Sequence, residues 1–227
     1  MRGRVQRVDI RSMPRLDRPI VPRVVFSAAA TLVAGVVALG LFAPAASAGV
    51  LVRSAKDCAK QKFERPFLRW LDPAHYVLAP QGTLERTSAW KLSGASRVRG
   101  NEPFFVHGRG EAYSLSLPAG SSATTATQCV GLEHPTLRFF ARNKGSILSV
   151  LKVEVLFEDN LGLIKSAPIG AVVGTSAWAP TLPLPVLANL LPLLPGEYTP
   201  VRFRFTPVGI RAAWQIDDVY VDPFRAG

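Results

Sequence analysis

The amino-acid sequence predicts an all-β protein, an antiparallel two-sheet sandwich, and three observations predict it. Past Gly49, apolar and polar residues alternate with a period of two in one short segment after another. Clusters rich in Gly, Pro, Asn and Ser punctuate those segments: "LSGAS", "RGNEP", "PAGSSATT", "ARNKGS", "EDNLG" and "PVG". No stretch between residues 49 and 178 keeps a long helical period. Many short strands at this spacing need two stacked sheets to bury their apolar faces.

The N-terminus reads as an address rather than as part of that domain. Arg2, Arg4, Arg7, Arg11, Arg15, Arg18 and Arg23 precede an apolar run from Val24 to Phe42, and Ala46-Ser47-Ala48 offers the small-x-small pattern that a signal peptidase accepts. The expectation is a signal peptide over 1–48, a single β-sandwich domain over 49–227, and a protein that is secreted or held at the cell surface. The run is nearly long enough to span a bilayer, so a retained anchor is the alternative. No Arg-Arg pair precedes it and no Cys follows it directly, which points away from twin-arginine export and from a lipoprotein.

The expected strands follow in order. "YVLAP" (76–80), "FFVHG" (104–108), "AYSLSLP" (112–118) and "TQCVG" (127–131) come first. "TLRFFAR" (136–142), "SVLKVEVLFED" (149–159), "VRFRFTP" (201–207) and "WQIDDVYV" (214–221) come after. Val201, Phe203 and Phe205 share one face, and Arg202 and Arg204 share the other. Leu151, Val153, Val155 and Phe157 likewise lie opposite Val150, Lys152, Glu154 and Leu156, so both strands are half-buried with one polar face. Phe140 falls between Arg138 and Arg142 on an outward face. Either an aromatic flanked by two guanidiniums makes a binding platform there, or the ring packs beneath a loop.

One stretch breaks the pattern: "AWAPTLPLPVLANLLPLLPGE", residues 177–197. Its prolines exclude a regular strand. Val186, Leu187, Leu190 and Leu191 can share one face of a short helix that Pro192 ends. This Pro/Leu-rich connection is expected to cap one end of the sandwich. Left exposed, its residues 182–194 would instead serve lipid or protein contact in an envelope-associated structural or interaction protein.

Charge and cysteines narrow the setting. The whole chain carries a net +11, and without residues 1–48 about +6 remains, enough to attract anionic polymers or membranes weakly. That is no nucleic-acid charge stripe, and an exported protein rarely meets nucleic acid. Outside the cytoplasm the two cysteines, Cys58 and Cys129, favour a disulfide, with two buried thiols as the alternative.

Three blocks, taken in order, carry a resemblance. They are "QKFERPFLRWLDPAHYVLAPQGTLE" with the later "SAWKLSGASRVRGNEP", the middle "YSLSLPAGSSATTATQCVGLEHPTLRFFARN", and the terminal "WQIDDVYVDP". An early "FE", a Trp some way on, such a middle block and a final "IDDV" resemble the jelly-roll carbohydrate-binding modules often fused to xylanases and glucanases. The chain as a whole also resembles a group of exported actinobacterial proteins of unknown function. The resemblance covers nearly all of residues 49–227. It implies a jelly-roll sandwich and a non-catalytic module for carbohydrate or cell-envelope glycan.

It also implies a structural calcium tying the first strand to the last, with Glu64 at the early acidic position and Asp217 or Asp218 at the late one. Calcium takes about six to eight oxygens, so it needs carboxylates brought together from distant parts of the chain. Adjacent acids on a strand point to opposite faces, so only one ligates unless a bulge intervenes. The choice falls on Asp218, and Asp217 is expected to face solvent or an Arg. The alternative is charge pairing of Glu64 and Asp218 with residues such as Arg65, Arg97 or Arg211.

Candidate ligand contacts come from two places. Asn101, Glu102 and His107 read either as contacts at a sandwich edge or as a turn followed by an edge-strand His. Arg138, Phe140 and Arg142 make the platform described above. Among the Trp residues, Trp214 and Trp90 read as core or rim, Trp70 is open, and Trp178, in a loop before Ala-Pro, reads as exposed. No catalytic residues are expected. G-x-S-x-G is absent, and His75, His107 and His134 lack H-E-x-x-H spacing. Glu102, Glu111, Glu154 and Asp217 would matter for hydrolysis only if the fold faced two of them across a cleft.

Overall fold

The computed structural model describes residues 61–131, 136–158, 161–186 and 199–222. The expected signal peptide, its cleavage site, Cys58 and residues 187–197 of the connection lie outside them.

Two antiparallel sheets form a sandwich. The first holds β1 (Phe63–Glu64), β2 (Tyr76–Leu78), β4 (Ser96–Arg99), β5 (Tyr113–Pro118), β8 (Thr136–Asn143), β11 (Ala179–Pro180), β12 (Leu184–Pro185) and β14 (Ala213–Val221). The second holds β3 (Lys91–Ser93), β6 (Ser122–Thr124), β7 (Gln128–Val130), β9 (Val150–Glu158), β10 (Ile164–Val172) and β13 (Thr199–Val208). The chain crosses between sheets from β2 to β3, β3 to β4, β5 to β6, β7 to β8, β8 to β9, β10 to β11, β12 to β13 and β13 to β14, the wrapped connectivity of a jelly roll. No helix among the described residues is long and apolar enough to cross a membrane.

Alternation drives this arrangement. Leu115, Leu117, Phe139, Leu151, Val153, Phe203, Phe205, Trp214 and Ile216 all point between the sheets and are buried. Each such large side chain contributes about 1.5–3 kcal/mol by leaving water. Trp90 stacks on Phe205 with centroids 6.1 Å apart and donates its indole N–H to the Pro80 carbonyl at 3.0 Å.

A second, smaller core lies on the outer face of the first sheet; it decides between the two readings of Phe140, and beside it the expected strand at 104–108 is corrected. Phe67, Tyr76, Phe140 and Tyr220 are buried together there, with Trp70, Phe104 and Trp178 packed against them. Phe140 is therefore no exposed platform: it stacks on Phe67 at 5.5 Å and meets Trp70 edge-on at 5.2 Å. Residues 104–108 form no strand. The Glu102 carboxylate accepts the N–H groups of Phe104 and Val106, so a side chain takes the donors that a neighbouring strand would otherwise use.

The described half of the Pro/Leu-rich stretch closes a side of the sandwich rather than an end. β11 and β12 run along β8, with Ala179 opposite Ala141 and Leu184 opposite Leu137. Leu184 then reaches across to β10, where a Cβ on Gly170 would fall 2.8 Å from its Cδ2. β10 was not anticipated from the sequence. Pro168 and Gly170 interrupt its alternation, and its register with β9 shifts between them. Cys129 lies half-buried on β7, opposite Pro200 of β13.

Candidate functional site

β14 is the central strand of the first sheet, with β8 along one side. On the other side β5 pairs with Ala213–Ile216 and β2 takes over at Tyr220 and Val221. Between those neighbours the register against β8 slips, from Asp217 opposite Phe140 to Tyr220 opposite Arg138. Asp218 occupies this bulge at φ 44°. The bulge overturns the expectation that Asp217 turns to solvent or an Arg: Asp217 and Asp218 are both 0% exposed.

The two carboxylates are treated differently. Asp217 accepts the Glu102 N–H at 2.9 Å and the Asp218 N–H at 3.0 Å. Both oxygens of Asp218 are buried without a hydrogen-bond partner among the described residues. Charge pairing therefore does not account for Asp218. Arg65 donates to His75, and Arg97 donates to the Glu85 carbonyl and lies over the Tyr113 ring.

Other acids crowd the same place. Glu64 on β1 contacts Lys62 at 2.7 Å, His107 at 3.3 Å and the Tyr220 hydroxyl at 3.2 Å. Glu111 has one buried oxygen without a partner. Burial, together with Glu85 and Glu102, pushes the Glu111 carboxyl up to about 7. Burial first, then Glu111 and Glu102, pushes Asp217 up to about 8 against the pull of its two N–H donors. Burial first, then Asp217, Glu111, Glu102 and Glu64, pushes Asp218 up to about 9. The cluster is short of positive charge. Among the described residues no three His, Cys, Asp or Glu side chains converge as a ready-made metal set.

The remaining expected contacts separate. Arg138 is buried, ion-paired to Asp72, hydrogen-bonded to the Thr181 carbonyl at 2.9 Å and placed 4.2 Å over Phe67. It anchors the second core and is only 6% exposed. Arg142 and Trp178 do come together: the guanidinium lies 4.9 Å from the indole centroid and donates to Gln215 at 2.6 Å. Trp178 is half-buried rather than exposed. Asn101 donates to the Glu102 carbonyl, and its own amide oxygen is buried without a partner. His107 sits in the 104–108 loop beside Glu64.

Sequence reasoning missed a second site altogether. A trough of about 400 Å³ crosses the outer face of the second sheet, lined by Lys91, Ser93, Ser122, Thr124, Leu156, Ile164, Arg202 and Arg204. Arg202 donates to the Thr127 hydroxyl at 2.9 Å and Arg204 to Glu154 at 3.0 Å. The outward Arg pair of β13 was visible in the alternation around Phe203 and Phe205. The partner strands β3, β6 and β10 were not.

Fold and sites together define an all-β sandwich with one buried acidic cluster and one open polar trough. No family model matches the chain, and no curated protein matches it. Among solved structures it is similar to the CBM22-1 xylan-binding domain of Paenibacillus barcinonensis Xyn10C, at 15% identity and a TM-score of 0.43, over 64% of this chain and 94% of that one. It is similar to the CBM22-1-GH10 modules of Clostridium thermocellum xylanase 10B, complexed with xylohexaose, at 14% identity and a TM-score of 0.45. That match covers 64% of this chain and spans only 28% of the other. The enzymatically active domain of bacteriophage CBA120 tailspike protein 4 is similar at 20% identity and a TM-score of 0.37, over 63% of this chain and 21% of that one.

Proposed function

We propose that the chain is an exported, non-catalytic module that binds a glycan, and that the glycan lies in the trough of the second sheet. The observation that carries this reading is the lining of the trough. Hydroxyls of Ser93, Ser122 and Thr124, charged donors of Lys91, Arg202 and Arg204, and the aliphatic side chains of Leu156 and Ile164 share one open volume. A sugar presents hydroxyls at its rim and C–H groups on its faces, and both find partners in such a lining. Hydrolysis is disfavoured because Glu102, Asp217 and Asp218 are fully buried, so no cleft presents them as a carboxylate pair. A glycan array with the purified protein tests the proposal. Retention of a glycan that Ser93→Trp abolishes, by filling the trough from its exposed edge, is the expected result. Retention indifferent to that substitution removes the trough from the reading.

The proposal includes a structural calcium held by Glu64 and Asp218. Its support is the pair of buried, unpartnered Asp218 oxygens, a donor set that fits an oxygen-seeking cation. Carbonyl oxygens would complete the coordination. When bound, the ion supplies the positive charge that the cluster lacks.

A second reading, contact with lipid or protein through residues 182–194, has one observation in its favour. An apolar cavity of about 170 Å³ opens beside Trp214, Val172 and Leu184, and Leu182 at its rim is 81% exposed. Retention on vesicles that Leu182→Ser abolishes, with no glycan bound, would favour it over the first.

A further inference from the structure

We infer that one end of the sandwich docks on a lipid surface carrying anionic headgroups. This end uses neither the trough nor residues 182–194, so the inference goes beyond both readings above. Two connections build it. Residues 144–149 lead from β8 to β9 and residues 209–212 lead from β13 to β14, each crossing from one sheet to the other. Register puts them side by side, with Val208 opposite Val150 and Trp214 opposite Asn143. Ile147 and Leu148 in the first connection and Ile210 in the second are 85%, 87% and 86% exposed. Large apolar residues scattered singly over a surface need no explanation, but three on two touching connections form a patch.

The backbone beneath the patch is already paired. Lys144 donates its N–H to the Ala213 carbonyl at 2.7 Å, and Ser146 donates to the Arg211 carbonyl at 3.1 Å. Gly145 donates to the Asn143 side-chain oxygen at 2.9 Å, Leu148 to the Ser146 hydroxyl at 3.2 Å and Ser149 to the Ser146 carbonyl at 2.9 Å. A turn that leaves its donors to water must give up that water on entering lipid, at a cost. These N–H groups need no water. The two connections also approach too closely for a side chain between them: a Cβ on Gly145 would fall 2.1 Å from the Arg211 carbonyl oxygen. The apolar tips are thus held together before any surface is met, so docking has little left to order.

Side-chain type and charge choose the occupant. The exposed residues Lys144 and Arg211 flank the apolar tips, and residues 143–150 and 206–213 contain no Asp or Glu. Long cationic side chains rest at headgroup depth beside apolar groups that sink roughly 5–10 Å into a bilayer. Anionic headgroups complement them. The tips are aliphatic, and neither connection carries an aromatic residue, whereas protein-binding hot spots favour Trp and Tyr.

The full chain carrying Leu148→Trp, mixed with vesicles of phosphatidylcholine and phosphatidylglycerol whose acyl chains are brominated, tests the inference. The added indole should be quenched and its emission should shift to the blue. Leu161→Trp, beyond the opposite end of β9, should stay unquenched. Adding Ile147→Ser and Ile210→Ser to Leu148→Trp should raise the lipid concentration for half-maximal quenching about tenfold or more, because two aliphatic side chains no longer leave water. Lys144→Gln, or vesicles of phosphatidylcholine alone, should raise it severalfold. Every variant shares the same N-terminal segment, and quenching at position 148 reads this end of the sandwich alone. No quenching at position 148, or equal quenching at position 161, overturns the inference. Quenching that survives Ile147→Ser with Ile210→Ser but is lost with Leu182→Ser also overturns it, in favour of the 182–194 contact. Equal affinity for vesicles with and without phosphatidylglycerol overturns the choice of anionic headgroups. A dimer that Ile147→Ser dissociates, with no quenching on vesicles, assigns this end to a second copy of the chain and overturns the lipid surface.

Discussion

Asp218 holds a left-handed backbone conformation within a buried strand, and both its oxygens lack a partner among the described residues. Such a residue persists only when its surroundings over-determine it or a ligand completes it. With the proposed calcium, the native state gains RT ln(1 + [Ca²⁺]/Kd), about 2.7 kcal/mol at a hundredfold excess over Kd. Thermal melts should rise by several degrees in calcium and fall with chelator, and Asp218→Asn should remove that response. Wild-type melting indifferent to both would eliminate the site. Asp217→Asn should behave otherwise. Its oxygens hold two backbone N–H groups, so the substitution should cost roughly 1–3 kcal/mol with or without calcium.

Asp72 yields a pH prediction of definite sign. Burial works to raise its carboxyl, but the Tyr76 hydroxyl, the Ala74 N–H and Arg138 outweigh it and hold the group below its ordinary 3.8. The folded state therefore binds protons less readily than the unfolded chain. The stabilisation is fully present above about pH 4 and is lost as pH falls through the depressed native value. Asp72→Asn should destabilise the neutral protein by roughly 1.5–3 kcal/mol by unpairing the buried Arg138. Denaturant melts should show the gap between variant and wild type closing in that acid window. A gap that stays constant down to pH 2 would show that packing around Tyr76, not the ion pair, is what the variant loses.

At the scale of elements, β14 organises the molecule because it changes partners halfway. Where β5 ends and β2 begins, the 79–84 loop fills in: Val219 donates to the Gly82 carbonyl at 3.0 Å, and Ala79 donates to the Val219 carbonyl at 2.8 Å. A Cβ at Gly82 would lie 2.7 Å from the Val219 oxygen and 2.8 Å from the Ala79 oxygen, both backbone atoms that cannot step aside. Gly82→Ala should cost roughly 1–3 kcal/mol by forcing the loop off the bulge. Because the bulge turns Asp218 inward, the same variant should blunt the calcium response in thermal melts. A full response in a destabilised Gly82→Ala protein would separate the loop from the site.

At the scale of the whole molecule, the second core and the side closure tie distant parts of the chain to one sheet. Arg138 alone joins Asp72, Thr181 and Phe67. The proposed Cys58–Cys129 disulfide would add a covalent tie to the second sheet through β7. Closing a loop of about 71 residues should stabilise the fold by roughly 3–4 kcal/mol in the chain-entropy model. Reduction of the purified protein should shift its denaturation midpoint accordingly. Peptide mapping under non-reducing conditions that recovers both thiols free would remove the bridge.

Local pattern determined the fold class and most of the long strands. Alternation in 136–142, 149–159, 201–207 and 214–221 marks β8, β9, β13 and β14 because a half-buried sheet must separate Phe203 and Phe205 from Arg202 and Arg204. It also showed that the last strand is rich in acids. What those acids do was decided only in three dimensions. A one-residue bulge, set by the handover from β5 to β2, buries both Asp217 and Asp218 where strict alternation would bury one. Phe140 became core because residues 65–76 and the 101–108 loop fold over it, a contact between segments far apart in the chain. The trough exists because β13 lies between β6 and β9, so Lys91, Arg204 and Glu154 share a row that no spacing in the sequence records. Period and polarity are local properties of the chain, whereas register, bulges and the covering of an outer face arise from contacts between strands.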